Sequence, residues 1–315
     1  MTHSRRGQRD DAAGAEWRFT IGEIDLDLRS DAKGIVDELA GLYPRCRSSS
    51  SRNGCIRLAV MRRRRRLLGA ARYDIVSDGV KMTGGHREEN LLPHLEWAIS
   101  GKVIETCSQY LQIHAASLSF RGMGAILAGP SGAGKSTLAA GLLAGGWKYM
   151  CDEFALVEPE SVTLRPFPKA LCVKSGAFEI VRELDLKLSR NRPYVKTYKG
   201  NVGYISPRTV PRAVAERPAS IGMVLFPKYT GQRTPCIRPL LRGRAAFNLA
   251  AYVLNTDAFA DRGLSTIRRI VDGARCFVVE TGSIGDTIEL IKSIAGQGNS
   301  AADRDHAQMT QTGVA

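Results

Sequence analysis

The chain has 315 residues, 43% apolar and 24% charged, with a formal net charge of +14; that length supports one large core plus a smaller lobe. Its 32 glycines and 13 prolines exclude collagen-like and low-complexity character for the body of the chain. Apolar runs such as Gly124–Gly129 fall far short of a bilayer span, which excludes a transmembrane helix, and the first residues lack the apolar centre of a secretory signal, so a cytoplasmic protein is expected.

Residues 1–14 and the tail 297–315 are polar and charged and are expected to be disordered ends. A small α+β lobe is expected over 15–100. There Ile35, Val36, Leu39 and Leu42 recur at helical spacing until Pro44, and Cys55–Met61, Leu67–Val76 and Val80–Thr83 read as strands with Asp78-Gly79 as a hairpin turn. A helix from about Pro93 to Leu111 carries the stripe Leu95, Ile99, Val103, Cys107 and Tyr110. Residues 101–296 are expected to form a second, α/β domain. His114–Phe120 and Gly124–Ala128 read as strands around Arg121-Gly122, and a glycine-rich loop leads into a helix over Lys135–Ala144 that ends at Gly145-Gly146. Trp147–Val157 reads as one strand with Asp152 and Glu153 in its middle. Beyond Pro159, strands Met223–Phe226 and Cys276–Glu280 alternate with helices near 243–254, 262–273 and 284–294. The long basic stretch between Leu188 and Pro218 reads as a long loop, a functional flap or a mobile segment.

The positive charge is concentrated in two places: residues 41–73 hold ten arginines and no acid, and 161–244 hold 17 basic against 4 acidic side chains. Such potential favours anionic partners. The run Arg62–Arg66 lies between apolar stretches without aromatic residues to stack bases, so a solvated strand face or peptide-docking edge is favoured over nucleic acid. The seven cysteines include no C-x-x-C pair, so reduced, mostly buried thiols are expected rather than disulfides or zinc.

The most specific motif is Gly129-Pro-Ser-Gly-Ala-Gly-Lys-Ser136, a complete G-x-x-x-x-G-K-[ST] with a strand before it and a helix after it. Backbone N–H groups from Gly129, Ser131, Gly132, Ala133 and Gly134 onward, with Thr137 closing the first turn, would cradle phosphates at the positive end of a helix. Lys135 would reach the β- and γ-oxygens, and the Ser136 hydroxyl would ligate Mg²⁺. A nucleoside triphosphate is the expected ligand. No N-K-x-D, D-x-x-G or L-S-G-G-Q motif accompanies the loop, which disfavours switch GTPases and ABC ATPases. Instead Asp152-Glu153 follows Lys135 by 17 residues and His114 precedes it by 21. On a regular strand the two acids would point to opposite faces, which favours divided roles.

HAASLSFRGMGAILAGPSGAGKST followed by GGWKYMCDEFALV resembles the core of bacterial HPr kinase/phosphorylases. The closer likeness is to the related proteins called HprK-related kinase A, echoed also in ELAGLYP, LEWAIS, PFPKALCVKSG, KGNVGYISP and MVLFPKY. The resemblance implies a P-loop kinase core of the HPr kinase and phosphoenolpyruvate carboxykinase type and ATP- and Mg²⁺-dependent phosphorylation of a hydroxyl. It implies Asp152 as general base, Glu153 as support for the metal and His114 beside the phosphates. Two departures stand out: Thr137 replaces a common glutamate, and the glycine-rich loop tied to phosphorolysis is missing, which argues against phosphorylase activity and against HPr as substrate. Relatives include kinases that tailor lasso-type peptides, so serine phosphorylation of an acidic protein or precursor peptide is expected. The alternatives are a small-molecule kinase, for instance for free serine, or a non-catalytic nucleotide-binding module. Lys169, Lys174, Arg192, Lys196, Lys199 and Arg208 fall in the stretches that resemble the family's substrate side, where one or two would neutralise the γ-phosphate. The family's oligomers leave a homo-oligomer open, and no membrane partner is expected.

Overall fold

The computed structural model describes residues 15–43, 55–63, 70–196 and 200–296. Both expected disordered ends, Cys46, Arg64–Arg66 and Lys199 lie outside these residues.

The first lobe is a five-stranded sheet in the order β1-β2-β3-β4-β5. β1 (Ala15–Ile21) and β2 (Ile24–Ser30) form a hairpin, and α1 (Lys33–Leu42) crosses over to β3 (Cys55–Arg62), which pairs parallel with β2. The expected stripe of α1 is realised, with Ile35, Leu39 and Leu42 buried. β4 (Tyr73–Ser77) and β5 (Val80–His86) meet at Asp78-Gly79 with φ of +48° and +80°, the backbone that a two-residue hairpin needs. α2 (Leu91–Thr106) ends five residues before Leu111. Leu111–Ile113 is instead strand β6, because the Gln112 N–H donates to Asn255 Oδ1 at 2.9 Å, a partner 143 residues away.

β7 (Ala115–Phe120), β8 (Met123–Ala128), α3 (Lys135–Ala144), β9 (Lys148–Cys151), β10 (Ala155–Glu158) and β11 (Thr163–Arg165) follow. The single strand expected over Trp147–Val157 is therefore two. Cys151 Sγ accepts the N–H groups of Glu153 and Phe154 at 3.5 and 3.4 Å, turning the chain, so that β9 pairs with β7 while β10 pairs with β6 and β11. The long loop expected between Leu188 and Pro218 contains strands instead. β12 (Leu171–Lys174), followed by the short helix α4 (Phe178–Glu183), joins β13 (Tyr194–Lys196) and β14 (Gly200–Ile205) in a separate sheet of order β12-β14-β13. Tyr194, Val202, Tyr204 and Ile205 are buried there, which holds most of that stretch down.

β15 (Ala219–Tyr229), β16 (Cys236–Pro239), α5 (Arg242–Ala250), α6 (Thr256–Gly273), β17 (Arg275–Thr281) and helix α7 (284–296) complete the chain. The large sheet runs β6-β10-β11-β15-β8-β7-β9, with β17 beside β15 and β16 outside β17. β8, β15 and β17 are parallel, and β7 is antiparallel to both β8 and β9. α3, α7 and the small sheet bury Leu138, Leu142, Val173 and Ile291 on one face. α5 and α6 bury Leu249, Phe259 and Ile270 on the other. The architecture is thus mixed α/β: a parallel trio, β8, β15 and β17, lies inside a sheet whose other pairs are antiparallel. The first lobe packs directly onto this body, since its apolar cluster continues through Phe154, Phe167, Tyr194 and Tyr204. At Gly22 (φ +62°) a Cβ would stand 2.2 Å from the Pro166 oxygen, so only glycine lets the β1–β2 tip approach that closely. Among the described residues no helix is long and apolar enough to cross a membrane. Six cysteines there are free thiols, with Cys107, Cys151 and Cys276 buried.

Candidate nucleotide and phosphoryl-transfer site

The loop Gly129–Gly134 springs from the C-terminal end of β8 and delivers the chain into α3 at Lys135. Gly132 and Gly134 have φ of +88° and +91°, left-handed backbone that glycine tolerates best. A Cβ at either position would meet nothing within 4 Å, so the cradle is open to a ligand. No side chain caps α3 at Gly134. Its first-turn N–H groups, including those of Ser136 and Thr137, lack i−4 partners and point their partial positive charge at the loop. Ser131 is exposed, Ala133 is buried, and Ser136 and Thr137 are half-buried. Lys135 is buried and curls back, its Nζ donating to the carbonyls of Gly129 and, at 3.1 Å, Pro130. Rich in backbone N–H groups, cationic and helix-terminated, this donor set fits a polyphosphate.

Strand register brings the other expected residues to the same edge of the sheet. Ala115, the first residue of β7, pairs with Ala128, the last of β8, which sets His114 next to the start of the loop; its backbone N–H donates to the Tyr252 carbonyl at 2.7 Å. Cys151, the last residue of β9, pairs with Ser117, so Asp152 emerges at that edge too. Ligands of open α/β sheets collect at such strand ends. Asp152 is 8% exposed. Its Oδ1 accepts from the Tyr149 hydroxyl at 3.1 Å and its Oδ2 from the Cys172 N–H at 3.0 Å. Burial, reinforced by the neighbouring Glu153 charge, pushes its carboxyl up to about 6, against the pull of Lys169 and the two donors. A carboxylate poised there can accept a proton near neutral pH.

Glu153 has a different setting. Its Oε2 lies 2.6 Å from Lys169 Nζ and accepts from the Ser100 hydroxyl at 2.9 Å. Lys169 is 3% exposed and also contacts Glu96 Oε2 at 3.1 Å and Ser100 Oγ at 2.7 Å. Burial works against its charge, but Glu153 and Glu96 outweigh that and raise its pKa. Glu96 Oε1 in turn accepts from the Tyr43 hydroxyl at 2.6 Å. The turn between β9 and β10 therefore splits the acid pair: Asp152 is held by Tyr149 and β12, while Glu153 joins a buried ionic cluster with α2. No group of three or more His, Cys, Asp or Glu side chains that could hold a metal occurs among the described residues, and of the expected ligands Ser136 stands in the cradle.

Of the described basic residues in the stretches that resemble the family's substrate side, Lys169 is the one buried between two acids, Glu96 and Glu153. Lys174 is exposed on β12, while Arg192 precedes β13 and Lys196 is its last residue. Arg208 is exposed, and some desolvation, opposed by Tyr43 and Glu216, lowers its pKa. The sequence reading missed Tyr43, Glu96, Ser100 and Tyr149. One signal was legible: in LEWAIS the tryptophan is half exposed and the glutamate is 1% exposed, the reverse of their usual places.

A family model described as SynChlorMet cassette protein ScmC matches residues 89–180, the span from α2 through the loop and Asp152. None of the curated proteins matches the chain significantly. Among solved structures the chain is similar to the Hpr(Ser) kinase/phosphatase from Coxiella burnetii, at 14% identity over 64% of this chain and 99% of that one, with a TM-score of 0.35.

Proposed function

We propose that this chain is a P-loop phosphotransferase that moves the γ-phosphate of ATP to the hydroxyl of a serine in a protein or peptide. The observation that carries the reading is the convergence, on one sheet edge, of the open Gly129–Ser136 cradle and a buried Asp152 raised to about 6. Loop N–H groups and the dipole of α3 bind and orient the phosphates, and Lys135 swings from the loop carbonyls to the anion. Ser136 would hold Mg²⁺, which when bound neutralises charge on the phosphate oxygens. Glu153, committed to Lys169, takes no ligand role in this account. As the serine oxygen bonds to the γ-phosphorus, the bond from that phosphorus to the β,γ-bridging oxygen breaks and ADP leaves. The serine proton passes to the Asp152 carboxylate. Burial of Asp152 keeps water from levelling that basicity. His114 stands beside the phosphates as a further polar contact. Basic exposed side chains such as Lys174 suit an acidic peptide.

The test is intact-mass analysis of candidate peptides, including those encoded beside this chain, after incubation with Mg-ATP. A gain of about 80 Da, the mass of one transferred phosphoryl group, that is lost in Lys135→Ala and Asp152→Asn supports the reading. A phosphorylated small molecule with no modified peptide would move the acceptor to free serine or its like. ATP turnover indifferent to Asp152→Asn, with no phosphoproduct, would leave a nucleotide-binding module.

A further inference from the structure

On the first-lobe side of the molecule a cavity of about 430 Å³ opens between β5, the start of α2 and the segment leading into β13. Arg72, Arg87, Arg192, His86, His94 and Asn90 line it, and none of them belongs to the large sheet or to the loop Gly129–Ser136. Its size is that of ordinary small-ligand sites, which run from about 300 to 1,000 Å³. Among the described residues the one acid on its wall, Glu89, faces Arg87 at 3.7 Å, leaving an excess of guanidinium charge. Arg192 meets no carboxylate among the described residues.

The walls are fixed rather than loose. Arg190 Nη1 pairs with Glu38 at 3.0 Å, its Nη2 donates to the Glu89 carbonyl at 2.8 Å, and the Val195 N–H donates to Asn90 Oδ1 at 3.0 Å. Arg72 is held by a 3.0 Å bond to the Gly85 carbonyl. His86 and His94 stack with ring centroids 3.5 Å apart at 18°. Burial and the neighbouring His86 and Lys196 push His94 down to about 4, and burial also lowers His86, so both rings are neutral near pH 7 and carry one N–H donor each. Asn90 accepts the Val195 N–H with its side-chain oxygen and makes no capping bond, and the first turn of the 16-residue α2 borders the cavity through His94.

We infer that this cavity is a second anion site, built to take the phosphate group of a small phosphorylated compound. Three guanidiniums arriving from separate chain segments suit a tetrahedral group with three free oxygens, whereas a planar carboxylate is satisfied by one arginine fork. The inference stands apart from the reading of the nucleotide loop, and either can fail without the other.

Histidine-ring NMR of the full chain separates the two sites. There are five histidines; His86 and His94 report this cavity, His114 reports the loop, and single substitutions assign them. Titration with inorganic phosphate should move the His86 and His94 resonances saturably, whether or not His114 responds. In Arg72→Ala/Arg192→Ala the apparent affinity at these two rings should fall about tenfold or more, since two charge-assisted contacts are lost, while an unchanged His114 resonance certifies the fold. The inference is overturned if phosphate moves only His114, if the double variant titrates like the parent, or if succinate outcompetes phosphate at the same rings.

Discussion

Replacing Asp152 by asparagine should abolish phosphoryl transfer and stabilise the protein at once. Asparagine is nearly isosteric: its Oδ1 can accept the Cys172 N–H, and its amide can donate to the Tyr149 oxygen. What disappears is the cost of ionising a buried carboxyl beside Glu153. From an ordinary 3.8 to about 6 is roughly two pKa units, and at about 1.4 kcal/mol each the native state gives up about 3 kcal/mol above pH 6. For a chain of this length that corresponds to a rise in Tm of about 4 °C. The sign follows from the direction. A carboxyl raised on folding costs nothing below 3.8, where both states are protonated, and costs the full amount above about 6. The gain in Asp152→Asn should therefore be largest at pH 7 and fade towards pH 4, as followed by calorimetry across that range. In the parent chain the proposed transfer should rise with pH through about 6 as the base ionises. A variant no more stable than the parent at pH 7, or a gain that persists unchanged at pH 4, would refute the claim that burial strains this carboxylate.

Lys169→Met should cost about 3–5 kcal/mol in urea unfolding, because it strands Glu96 and Glu153 without their cation; adding Glu96→Gln should recover part of that loss, and no recovery would place the cost in packing instead. Gly134→Ala should lose only about 1–2 kcal/mol of stability, the price of left-handed backbone for alanine. Its affinity for a fluorescent ATP analogue should fall at least tenfold, about the 1.4 kcal/mol of one lost phosphate contact, since the methyl enters the cradle. Unchanged affinity would exclude the loop as the nucleotide site. Asn255→Ala leaves the Gln112 N–H and the Tyr110 carbonyl unpaired, which should cost about 2–4 kcal/mol and speed hydrogen exchange at the Gln112 amide; slow exchange there would show that another group holds β6.

Local chemistry was enough for everything that depends on neighbours in sequence. The Gly129–Ser136 loop, the bounds of α3, the Asp78-Gly79 and Arg121-Gly122 turns with positive φ and the α1 stripe all follow from backbone sterics, capping and periodicity within a few residues. The spacing of His114, the loop and Asp152 was legible as well, but that β7, β8 and β9 share one sheet and bring them to one edge was decided by strand pairing. Tertiary structure alone decided the rest. Whether Leu111 ends a helix or begins a strand depended on Asn255, and the stretch after Leu188 became strands because Val173 and Tyr204 gave it a sheet to join. The separation of Asp152 from Glu153 depended on a cysteine sulfur turning the chain, and Lys169 found its role only when α2 carried Glu96 to it. Composition could total the positive charge of this chain. Which cations are spent inside and which line an open cavity is settled by partners far away in sequence, because a buried charge must be paired and an exposed one need not be.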